Sequence, residues 1–160
     1  MNDERWRIKE SVAIAFQIIG EKDFTILREN FSKWLPDSSF SEKRAIIASL
    51  AHPPLLKDAH NANYSLTVSD TIMFSVLKAT NIEKKTDGFK VLVKGLSYAL
   101  SLFVCSSPDE GFQLLEKFAN TKDKIILKII LSNLNKSRLK NKFPQKVEQF
   151  KQKYYEKLSF

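Results

Sequence analysis

Ser41-Glu42-Lys43-Arg44-Ala45-Ile46-Ile47-Ala48-Ser49-Leu50-Ala51 reads as an amphipathic helix. A related stretch opens 38 residues earlier at Asp3 and runs through Val12-Ala13-Ile14-Ala15-Phe16-Gln17-Ile18-Ile19-Gly20. A third opens 80 residues later, twice forty, as Thr121-Lys122-Asp123-Lys124-Ile125-Ile126-Leu127-Lys128. Helices returning at about forty residues are the mark of antiparallel helix pairs stacked side by side, each burying its apolar face on the next. The expectation is an all-α fold: a single domain over residues 1–160, with about eight helices forming a short α-solenoid.

Working outward, helix 1 is expected over 3–19, with Trp6, Val12, Ala13, Phe16 and Ile19 inward and Gly20 as its stop. Helix 2 follows at 24–35 and ends at Pro36. Helix 3 starts on Ser39-Phe40-Ser41-Glu42, which has the capping-box spacing, and closes at His52-Pro53-Pro54. The stretch 58–64 reads as part of a long connection. Helix 4 is expected over 66–79, with Leu66, Ile72, Met73, Val76 and Leu77 inside. Helix 5 covers 88–105 and is apolar around most of its circumference, as befits a helix between neighbours. Gly95 within it suggests a close helix approach. Helix 6 starts at Ser107-Pro108-Asp109-Glu110 and runs to about 120. Helix 7 covers 122–134. Helix 8 covers 144–158, with Val147, Phe150, Tyr154 and Leu158 as its stripe.

Composition agrees with a packed helical domain: 43% hydrophobic, 28% charged, and only four glycines and five prolines. Cys105 is the single cysteine, so no intrachain disulfide is available and a reducing, cytoplasmic setting is the simplest expectation. The longest apolar stretch, around 96–105 and holding Ser97, Tyr98 and Ser101, falls well short of the ~20 residues of a spanning helix. Neither a membrane nor a small-molecule substrate is expected as a partner. The net charge of +8 lies in the last forty residues, since 1–120 carry 15 basic and 15 acidic side chains.

Three stretches carry a family likeness. They are Arg7–Gly20; Gly88-Phe89-Lys90-Val91-Leu92-Val93-Lys94-Gly95-Leu96-Ser97-Tyr98-Ala99-Leu100-Ser101 with Ser107-Pro108-Asp109-Glu110-Gly111; and Ser132-Asn133-Leu134-Asn135-Lys136-Ser137-Arg138-Leu139. Through them the chain resembles the HEAT-like repeat proteins of bacteria and archaea. The resemblance implies a HEAT-like α-solenoid that docks a macromolecule, and it brings no catalytic residues.

Lys136, Arg138, Lys140, Lys142 and Lys146 fall within eleven positions and form the candidate nucleic-acid-binding segment. The same residues also suit a solvated end cap. Lysine predominates among them, which fits phosphate attraction rather than base reading. Trp6 and Trp34 are expected in the core, and Tyr98 is expected buried with its hydroxyl bonded. His52, His60 and Asp58 straddle a Pro-Pro break without metal-ligand spacing, so neither a metal nor a cofactor is expected. Cys105 reads as an inert core thiol. No Gly-rich phosphate loop or G-x-S-x-G element is present.

The expected function is therefore a non-catalytic binding or scaffold module, with a protein as the first-choice partner. The alternative is nucleic-acid binding through the basic segment. DNA repair resembling the alkylpurine glycosylases is its most specific form, with Asp70 or Glu110 as the carboxylate.

Overall fold

Local chemistry fixes where most helices begin. A computed structural model of the chain describes residues 4–121, 123–154 and 156, with side chains from Glu10 onward. The described residues form nine α-helices and no strand: α1 Glu4–Lys22, α2 Phe24–Trp34, α3 Phe40–Leu50, α4 Ala59–Lys78, α5 Asp87–Ser106, α6 Pro108–Ala119, α7 Lys124–Leu134, α8 Ser137–Lys142 and α9 Pro144–Lys153. The carboxylates of Asp23, Asp58 and Asp123 accept from the first free amides of α2, α4 and α7. Ser39 and Glu42 complete the expected capping box on α3. Thr86 accepts from Phe89 N to start α5.

The helices lie in two rows. In the first, α1 packs on α3, α3 on α5 and α5 on α7. In the second, α4 packs on α6, and α6 carries ion pairs to α9. Helices within a row run the same way, because their bridging contacts climb together. Asn63 meets Ser107 and Asp70 meets Lys117; Asp109 meets Lys146 and Glu116 meets Lys153. Near the C-terminal end one offset recurs. Leu96–Asn133, Cys105–Lys142, Asp109–Lys146 and Glu116–Lys153 are each 37 residues apart. The step from α3 to α5 is longer, 47 residues from Phe40 to Asp87. The extra length holds Pro53-Pro54, two short 3-10 turns (Leu55–Lys57 and Glu83–Lys85) and a twenty-residue α4.

α5 is the central helix, packed against α3, α4, α6, α7 and α8. Leu92, Leu96, Leu100, Phe103 and Val104 are wholly buried along it. Its twenty residues are long and apolar enough, by length and composition, to cross a bilayer; here that apolarity faces five neighbouring helices. Asn133 of α7 crosses this interface. Its Oδ1 accepts from Ser101 N at 2.8 Å, and its Nδ2 donates to Leu96 O at 2.9 Å and Ile129 O at 2.8 Å.

The expected all-α fold of about eight helices holds, with the short α8 as the one unforeseen addition among the described residues. Several finer expectations are corrected. Residues 59–64 are the first turns of α4, nucleated by Asp58, rather than connection. α1 runs through Gly20, which has no positive φ; a Cβ there would lie 2.5 Å from Leu27 Cδ1, so packing explains the glycine. Gly95 is not at a close helix approach, since its Cβ would meet only Arg44 Cγ at 3.4 Å. Gly111 is, with Val104 Cα at 2.7 Å. On α1, Ala13 and Phe16 turn inward while Val12 and Ile19 are exposed. Side chains of Trp6 and Leu158 lie outside the described residues.

Candidate nucleic-acid interface

Asn135 caps α7, Lys136 is extended, and six residues of α8 then turn the chain toward α9. Leu139 anchors α8 by burying itself completely. This places the Arg138 guanidinium over the Tyr98 ring, 4.4 Å from its centroid, with Lys136 Nζ at 5.6 Å. Arg138 Nη1 is buried without an acceptor among the described residues. Tyr98 is 51% exposed, not buried as expected. It sits on the outer stripe of α5 with Val91 and Lys94, at i, i+3 and i+7.

The five candidate basic residues separate. Lys136 and Arg138 gather at Tyr98. Lys142 Nζ donates to Cys105 O at 2.8 Å, placing a cation on the negative end of α5. Lys146 pairs with Asp109 at 2.7 Å and lies over the Phe112 ring. Lys140 is exposed. Burial first and then Lys140 hold the nearby Lys151 ammonium below the usual lysine range.

Beside Tyr98 a groove of about 380 Å³ runs between α3 and α5. Arg44, Lys94 and Tyr98 line it, with Ala48, Ala51 and Gly95 among its small residues. No carboxylate lines it. The two carboxylates considered from sequence lie in the other row. Asp70 receives Lys117 Nζ at 2.6 and 2.7 Å, and Glu110 lies 2.7 Å from the Ser107 hydroxyl.

Charge follows the rows. α3, α5, α7 and α8 carry nine basic side chains and two acidic ones, Glu42 and Asp87, and α1 of the same row adds four basic and three acidic. α2, α4, α6 and α9 carry seven basic and six acidic. The excess seen at the C-terminal end of the sequence is, in space, an excess on one layer.

Other groups are committed to structure. Asp58 caps α4 and His52 Nε2 bonds Glu21, so these two and the exposed His60 do not converge, and no metal-binding group of three appears among the described residues. Cys105 Sγ donates to Arg138 O at 3.6 Å. Burial raises its thiol above the usual range despite the opposing pull of Lys142 and Arg138. Trp34, expected in the core, is 47% exposed and packs obliquely on Phe16 and Phe31.

Sequence reasoning missed Arg44 and Lys94, and it placed Tyr98, an aromatic able to stack on a base, inside rather than at the surface. The available signal was that Lys94 and Tyr98 are two of the polar interruptions of an otherwise oily helix, four residues apart on one face. Comparison with known proteins returns no matching family model, no matching curated protein and no matching solved structure.

Proposed function

We propose that this chain is a non-catalytic, HEAT-like docking module that holds nucleic acid by its phosphates on the face formed by α3, α5, α7 and α8. The supporting observation is the segregation of charge: nine basic against two acidic side chains on these four helices, thirteen against five when α1 of the same row is included, and near balance in the other row. A field of one sign over one face collects a polyanion and releases its counterions. The predominance of lysine fits attraction without strong sequence choice. The reading stops at binding, because neither Asp70 nor Glu110 lies beside the groove.

The test is affinity for DNA and RNA across a salt series. Neutralising Lys94, Lys128 and Lys140 together should lower the log–log salt slope by about 2–3, roughly 0.7–0.9 per lost phosphate contact. Lys117→Gln and Lys153→Gln, in the balanced layer, should leave it unchanged. No binding at low salt, or binding only to an acidic protein, overturns the reading.

A further inference from the structure

We infer that the α3–α5 groove is a subsite for one unstacked base of a single-stranded nucleic acid. This rests on the phosphate-binding reading above and deepens it. A phosphate-only face needs cations and nothing more. This one sets an exposed aromatic ring at the mouth of a groove, between cations on both sides. Arg44 and Lys94 line the groove, while Lys136 and Arg138 approach Tyr98 from α8 and its N-cap.

The groove's volume, about 380 Å³, lies within the roughly 300–1,000 Å³ of small-molecule clefts. It exists because small residues occupy facing positions: Ala48 and Ala51 on the α3 side, Gly95 on α5. A Cβ on Gly95 would meet only Arg44 Cγ at 3.4 Å, so that glycine leaves open space rather than permitting helix contact. Arg138 already lies against the tyrosine, and a guanidinium stacked there holds the ring's orientation. Such a ring offers its remaining surface to a flat π-system. In a duplex the base faces are stacked on one another and unavailable, so the ligand that uses both ring and cations is a single strand.

The experiment measures anisotropy of labelled dT12 and U12 against an abasic strand of equal phosphate count and a duplex. Proteins are the unaltered chain, Tyr98→Ala, Tyr98→Phe and Gly95→Met, each checked for helicity. The base-bearing strands should bind more tightly than the abasic strand and the duplex. Tyr98→Ala should weaken them about 5- to 150-fold, the range of one base–aromatic stack. The abasic affinity and the salt slope should stay as they were. Tyr98→Phe should retain binding, and Gly95→Met, which fills the groove without altering charge, should lose it as Tyr98→Ala does. Equal affinity for base-bearing and abasic strands, unmoved by Tyr98→Ala and Gly95→Met, overturns the subsite while leaving phosphate binding in place. Absence of binding to every nucleic acid overturns both. The DNA and RNA arms show whether the sugar matters.

Discussion

Asn133 shows how much one polar side chain can hold. It is wholly buried and supplies partners to main-chain groups of both α5 and α7. Asn133→Leu removes these three buried side-chain hydrogen bonds, at about 1–3 kcal/mol in total. The melting temperature, followed by circular dichroism, should fall by roughly 2–12 °C, at about 2–4 °C per kcal/mol for a chain of this size. The glycines make a contrasting pair. Gly95→Ala should be neutral or stabilising by up to ~1 kcal/mol, because helix propensity improves in open space. Gly111→Ala should destabilise by about 1–3 kcal/mol, because its Cβ collides with the Val104 backbone. Both glycines sit in helical patterns, and only the fold distinguishes them. Tyr98 teaches the same lesson, since its exposure depends on which side of α5 lacks a neighbour.

Helix starts were the most legible elements, because their chemistry is local. The Ser39–Glu42 box is visible in the sequence and present in the fold. Thr80-Asn-Ile-Glu83 has the same spacing and makes the same reciprocal bonds, yet it precedes only a 3-10 turn. At α6, Ser107 does not cap by its hydroxyl; the hydroxyl lies 2.5 Å from Asn63 Oδ1 and 2.7 Å from Glu110 Oε2. The side-chain bond from Ser39 lowers the Glu42 carboxyl, the amide of Thr80 lowers Glu83, and the Ser107 hydroxyl lowers Glu110. A carboxyl lowered in the folded state adds stability that is complete above its unfolded pKa of about 4.3 and is lost as pH falls through the folded value. The melting temperature should therefore drop as pH falls below about 4.3. Glu42→Gln should make that drop shallower, and a pH-melting series checks it. The first turns of α4 and the whole of α8 were less legible. Asp58 looks like loop chemistry until Ala62, Ser65 and Leu66 find their burial, and six residues give no clear period.

At the scale of the molecule, the repetition was legible but its spacing was not. The unequal steps of 47 and 37 residues reflect Pro53-Pro54, two 3-10 turns and a longer α4, which spacing in the sequence averages toward forty. In a row of helices, stability concentrates where neighbours are most numerous. Amides of α5 should exchange slowest with deuterium, and those of α1, α2 and α9 fastest, as read by native-state exchange. Uniform exchange across the helices would contradict a layered stack. Charge was the least legible property at this scale. Along the chain it looks like a basic tail, whereas in space it divides between the two faces. That division sets the centre of positive charge off from the centre of mass, toward the row of α3, α5 and α7. A body so loaded feels a torque in an uneven field, so the proposed binding would begin with a rotation rather than a contact.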